Sequence, residues 1–241
     1  MLAKGEWPKG EEYLYTAYQT AGRGQAGNGW ESEEGKNLLC SIAVESRKTA
    51  SLKVESPFYL NVLISVAVHR MINCQLSILN SQLTIKWPND IYWKDKKIAG
   101  ILIENAILGN EVQYSVAGIG LNVNQTQFVS NAPNPVSMKL VSGEEYGIDA
   151  VMNALMDEIH EVQKMPSDEV WAYYRAHLYR REGEWPFAER EVSIAPSRVL
   201  TERPDKCFMA SIEEITENGE LVLRTDTGTR AYHFKEIQFV L

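Results

Sequence analysis

Leu83-Thr84-Ile85-Lys86-Trp87-Pro88-Asn89-Asp90-Ile91-Tyr92-Trp93 runs through the charged turn Lys94-Asp95-Lys96-Lys97 into Ile98-Ala99-Gly100-Ile101-Leu102-Ile103-Glu104. The apolar, β-branched start predicts a strand, and Pro88-Asn89-Asp90 ends it. Proline has no N–H to give a ladder, and Asn and Asp bond back to their own backbone. A short strand, a charged turn and a second strand follow, so the stretch predicts a hairpin with Lys86, Asn89 and Asp90 at one end and Lys97 at the other. A surface turn needs no tryptophan, whereas a functional loop often anchors itself with one. Alternation places Lys97 with Ala99 and Ile101, opposite Gly100 and Leu102. Lys97 and Gly100 share a pocket only if Lys97 lies in the turn or at a bulge.

Working outward, the 241 residues suit one large domain, with or without a small one. Hydrophobic residues at 44% and charged ones at 23% describe an ordinary soluble domain, and no apolar run is long enough to span a bilayer. The start carries no signal-peptide core, so the chain reads as cytoplasmic and without a membrane partner. A net charge of -8 argues against general nucleic-acid binding. Cys40, Cys74 and Cys207 form no C-x-x-C pair, and their apolar flanks predict buried small hydrophobes. The four histidines have no metal-ligand partner at i+3 or i+4.

Tyr13 to Tyr18 reads as a strand leading into Gln19-Thr20-Ala21-Gly22-Arg23-Gly24-Gln25-Ala26-Gly27-Asn28-Gly29-Trp30. Its glycines let backbone approach a ligand closely, and Arg23 offers a planar fork for phosphate or carboxylate oxygens. Asn37 to Val44 predicts a strand buried on both faces. Ser56-Pro57 opens an apolar core helix through Ile72. Glu111 to Asn124 is a strand whose Gly118 and Gly120 mark either a bulge or a close approach. Asp149 is expected to cap a second helix through Val162, and Pro166 to start a third through Leu178. Beyond Glu184 the pattern changes to short strands at Glu191–Ile194, Cys207–Ile212, Leu221–Arg224 and Tyr232–Phe234, with turns at Asn218-Gly219 and Asp226-Thr227-Gly228. These predict a small SH3-type β-barrel.

Three separated segments, Gly22-Arg23-Gly24-Gln25-x-Gly27-x-x-Trp30, Lys86-Trp87-Pro88-Asn89-Asp90 with Lys97 to Glu104, and Gly118 to Asn124, resemble the biotin protein ligases in sequence and order. The resemblance runs from about Tyr13 to the end of the chain. It implies an α+β fold with a mixed β-sheet and flanking helices, akin to class II aminoacyl-tRNA synthetases, then a small SH3-like barrel. The expected division is a catalytic domain over residues 1–182 and a barrel over 183–241. It implies that biotin and ATP with Mg²⁺ give biotinyl-5′-AMP, and that a lysine of a biotin carboxyl carrier protein takes the biotin. The metal arrives with ATP rather than in a protein site of its own. Lys97 would hold the biotin carboxylate and bridging phosphate oxygens, and Arg23 the adenylate's phosphate. Lys86, Asn89 and Asp90 would orient phosphate, metal and ribose groups. Trp30 would stack on adenine, and Asn122 would meet the adenine side. Gln19, Gly24, Gln25, Gly100 and Leu102 would face biotin. A homodimer along a sheet edge is an analogy only.

The family also carries a Ser-Thr-Asn segment that binds the biotin ureido group, and these 241 residues contain none. The expectation is a start placed late; as written, the chain would bind biotin poorly, losing roughly 1–3 kcal/mol per missing partner. No helix-turn-helix precedes the match, so a repressor role is not expected. A lipoate or octanoate ligase of the same fold, and a degenerate ligase serving only as a binding module, remain alternatives.

Overall fold

The computed structural model describes residues 13–24, 29–45, 58–77, 82–108, 111–130, 134–190 and 207–240. The expected helix start at Ser56-Pro57, the strand Glu191–Ile194 and Gln25 lie outside them.

Strands β1 (Tyr13–Thr16), β2 (Leu38–Glu45), β3 (Leu83–Lys86), β4 (Asp90–Trp93), β5 (Lys96–Leu108) and β6 (Glu111–Leu121) form a six-stranded sheet in the order β1-β2-β6-β5-β4-β3. Its ladders are all antiparallel, which corrects the expected mixed sheet. The physical reason is local: β3 to β6 follow one another through short connections, and a short connection joins only antiparallel neighbours.

Helices α1 (Tyr59–Leu76), α2 (Met138–Ser142), α3 (Ile148–Lys164) and α4 (Ser167–Ala176) complete this part, with α1 packed against β3, β4 and β5 and against the other helices. Leu60, Val62, Leu63, Ile64, Val66, Val68, Met71 and Ile72 of α1 are all buried. Each such side chain contributes about 1.5–3 kcal/mol through removal from water, which makes α1 the centre of the core. In α3 the buried stripe Val151, Met152, Leu155, Met156, Ile159 and Val162 follows the expected spacing. Asp149 is not the cap: Gly147 holds that place, and Asp149 in the first turn accepts the Tyr15 hydroxyl at 2.8 Å. Helix α2 was not expected; it is five residues long and starts where the Ser137 side chain accepts from Leu140 N. No helix among the described residues is long and apolar enough to cross a membrane.

The remaining strands, β7 (Trp185–Glu189), β8 (Cys207–Ile215), β9 (Leu221–Thr225), β10 (Gly228–Tyr232) and β11 (Ile237–Phe239), form a second antiparallel sheet, ordered β10-β9-β8-β7-β11. Among the described residues no ladder joins β10 to β11, so the sheet is open where a closed barrel was expected. Of the cysteines only Cys40 is buried, its thiol pushed up to about 12 by that burial. Cys74 and Cys207 are exposed: Cys74 lies in the last turns of α1, beyond its buried residues, and Cys207 opens β8 on the face that also exposes Met209.

The two sheets meet at the Lys86–Asp90 turn. Trp87, 5% exposed, donates its Nε1–H to Gly219 O at 3.0 Å, and the Phe234 ring lies edge-on to it. Gly219 sits at φ +87°, and a Cβ there would lie 2.2 Å from Phe58 Cδ2, so this turn position is closed to other residues. The tryptophan does anchor a loop, but to a hairpin 132 residues away.

Candidate active site

The conflict between Lys97 and strand alternation is resolved by a bulge. Asp90 pairs with Gly100 and Ile91 with Ala99, but Tyr92 pairs with Lys97, so Ile98 is the extra residue. The shift turns Lys97 to the Gly100 side: a Cβ on Gly100 would stand 3.1 Å from Lys97 Nζ. The ammonium reaches back along the strand to Asp90 Oδ1 at 2.7 Å. Lys97 therefore meets the Pro-Asn-Asp turn instead of marking the far end of the hairpin. Its backbone is fixed as well, donating to Asn134 O at 3.0 Å and accepting from Val136 N at 2.9 Å.

Gly100 on β5 pairs directly with Gly120 on β6, and the Trp30 indole lies on both. A Cβ at Gly120 would fall 2.5 Å from Trp30 Cε2, and one at Gly100 would fall 3.0 Å from Trp30 Cζ3. The ladder of β6 keeps its register through Gly118 and Gly120, so close approach, not a bulge, explains the glycine at 120. The approaching group is the indole. Lys97 Nζ is 5.5 Å from the centre of that ring. Leu102, two residues along from Gly100 and paired with Gly118, continues the same face.

Two buried polar atoms at this floor have no hydrogen-bond partner among the described residues: Trp30 Nε1 and Asn122 Oδ1. Asn122 is otherwise fixed, donating its N–H to Ile98 O at 2.9 Å and its Nδ2 to Val136 O at 3.0 Å. A buried donor and a buried acceptor left open are costly unless something else meets them. Asn89, by contrast, is committed to the fold: its Nδ2 donates to Ile101 O and the side chain is 2% exposed.

Lys86 faces different surroundings. Its Nζ donates to Tyr92 Oη at 3.1 Å and stands 4.6 Å from the Tyr92 ring and 5.3 Å from the Phe239 ring of the second sheet. Burial lowers its pKa to about 8; Asp90 opposes the shift, while Lys97, Arg180 and Arg190 add to it. The glycine loop folds back on itself, with Trp30 N donating to Gly22 O at 3.0 Å. Gln19 Nε2 fills the space where a Gly22 Cβ would stand, 2.3 Å away. Arg23, beside Gly24, reaches Glu104 Oε2 at 3.0 Å in an exposed ion pair, which leaves its guanidinium open to exchange partners. Trp30, Lys97, Asp90, Gly100 and Asn122 are thus brought together. Arg23 and Lys86 flank them, and Asn89 supports the turn from within.

Residues 4–122 match the model of the biotin/lipoate A/B protein ligase family. The human biotin–protein ligase is 34% identical over 176 residues, which cover 67% of this chain and 23% of that one. A bifunctional ligase/repressor BirA of Bacillus spizizenii is 36% identical over 124 residues, 52% of this chain and 36% of that protein. The chain thus spans well under half the length of these relatives. Among solved structures, the biotin protein ligase from Aquifex aeolicus in complex with biotin and ATP superposes with a TM-score of 0.74 at 19% identity, covering 99% of this chain and 94% of that one.

Proposed function

Because the chain belongs, through residues 4–122, to the biotin/lipoate A/B protein ligase family, we propose that it joins biotin to ATP as biotinyl-5′-AMP and passes the biotin to a lysine of a biotin carboxyl carrier protein. The observation that carries this reading is the convergence of Lys97, Asp90 and Trp30 on the Gly100–Gly120 floor, with Lys97 Nζ 2.7 Å from Asp90. Two anions, a carboxylate and a triphosphate, have to meet there. A lysine already held by a carboxylate can exchange that partner for substrate oxygens without reorganising its backbone.

A biotin carboxylate oxygen attacks the α-phosphorus, the bond to the bridging oxygen breaks, and pyrophosphate leaves with the electron pair. Lys97 supplies charge where the carboxylate and the α-phosphate meet, and Arg23 leaves Glu104 for the phosphate. The nucleotide arrives as its magnesium complex, a substrate, and Asp90 is the carboxylate assigned to the metal. Asn122 Oδ1, an acceptor without a partner among the described residues, suits the exocyclic amine of adenine. In the second step the carrier lysine attacks the acyl carbon, AMP departs, and an amide remains. Alignment of reactants does most of this work, with effective molarities on the order of 10⁵ M or more.

Four finer assignments belong to the same proposal. The carrier is that of acetyl-CoA carboxylase, residues 183–241 fold as an SH3-like domain beside a catalytic domain over 1–182, and the protein works in the cytoplasm, as a homodimer where sheet edges pair. Incubation with ATP and biotin, lipoate or octanoate, followed by assay of pyrophosphate, tests the substrate. Release with biotin alone is expected. Release with lipoate or octanoate instead would move the assignment to the other ligases of the fold.

A further inference from the structure

The segment after Trp30 is held by polar side chains that no step above uses. Gln125 is 1% exposed and all its hydrogen-bonding positions are filled. Its Oε1 accepts from Glu33 N at 3.0 Å and from Asn37 Nδ2; its Nε2 donates to Glu31 Oε1 at 3.2 Å and to Gln127 O at 2.8 Å. Asn37, fully buried, also donates to Ser32 Oγ at 3.3 Å and accepts from Val123 N at 3.1 Å. The Glu31 carboxylate then receives two backbone N–H groups, Val129 and Ser130, at 2.8 Å each.

The network ties the residue next to Trp30 to the chain leaving β6, directly after Asn122. A carboxylate gripping two consecutive amides is a charge-assisted contact, stronger than its neutral equivalent. A saturated buried amide such as Gln125 transmits position, because moving it would strand several groups at once. The Trp30 indole lies on the glycine floor, and the next residue, Glu31, is held by this network.

We infer that Glu31, Gln125 and Asn37 are positioning residues that set the Trp30 indole over Gly100 and Gly120 for the nucleotide. The nucleotide part rests on the reading of Trp30 as facing adenine; the geometric part does not.

Labelling the whole chain with 5-fluorotryptophan separates the two parts. The protein has six tryptophans, and Trp30→Phe assigns the relevant ¹⁹F resonance. In Gln125→Leu and in Glu31→Gln, the Trp30 resonance is expected to shift or broaden while the other tryptophan resonances keep their positions. The KM for ATP should rise about tenfold, with kcat and the KM for biotin within about twofold of the parent. An unmoved Trp30 resonance in a folded variant, or equal losses for both substrates, would overturn the inference. If Gln125→Leu does not fold, Glu31→Gln, at the more exposed end of the network, decides it. A shifted Trp30 resonance in a chain that never uses ATP would uphold the positioning and reject the adenylation reading.

Discussion

Lys86 and Lys97 flank the same turn, yet their surroundings give them different chemistry. Lys97 is held by Asp90 at 2.7 Å, whereas Lys86 lies against Tyr92 and Phe239, where burial lowers its pKa to about 8. Lys86 is therefore charged at neutral pH and discharges as pH rises through about 8. In the unfolded chain it keeps its proton to 10.5, so between about 8 and 10.5 the unfolded state binds more protons and stability rises with pH. Activity and stability should move in opposite directions there. We expect adenylate formation to fall above pH 8 and Lys86→Arg, which stays charged, to remove that limb. An identical limb in Lys86→Arg, measured by pyrophosphate release against pH, would exclude Lys86 as its source. Both lysines stand out in the sequence. Their division of labour does not, because it depends on a bulge at Ile98 and on a ring from the last strand.

The Lys86–Asp90 turn joins β3 to β4 and is also where the second sheet docks. Trp87→Phe keeps an aromatic ring but leaves the Gly219 carbonyl without its donor, so unfolding in urea should show a loss of about 1–3 kcal/mol. A change below a few tenths would mean that the bond is not part of the docking. Behind the turn, α1 is tied to β3 and α4 through His69, whose ring nitrogens lie 3.0 Å from Tyr173 Oη and 3.0 Å from Leu83 O. Burial lowers the His69 pKa from 6.5 to about 4, so the imidazole is neutral in the folded protein at pH 7. As pH falls from 6.5 toward 4, the unfolded state takes up the proton first and stability declines, by at most about 3 kcal/mol. His69→Gln should flatten the decline in stability–pH curves; an unchanged slope would assign it to other groups.

At the scale of the molecule, apolar periodicity made α1, α3 and the strands around the site legible, as did the glycines at 100 and 120 and the residues of the central turn. Less legible were elements with little periodicity of their own: α2 with five residues, β7 with Pro186 inside it, and β11 with three. The Glu31–Gln125–Asn37 network gave no signal because isolated polar residues in loops have no spacing to read. Strand direction in the first sheet is not legible either, since pairing is set by connections between strands and not by their composition. What unites these parts is an account in which the Ile98 bulge turns Lys97 onto the glycine floor beneath Trp30. The most direct test is biotin-dependent exchange of labelled pyrophosphate into ATP, comparing the parent chain with Lys97→Ala and monitoring folding by circular dichroism. Exchange is expected in the parent, and in the folded variant a loss of at least about a hundredfold, the scale for removing one charge-stabilising donor. Exchange at the parent rate in Lys97→Ala would contradict it.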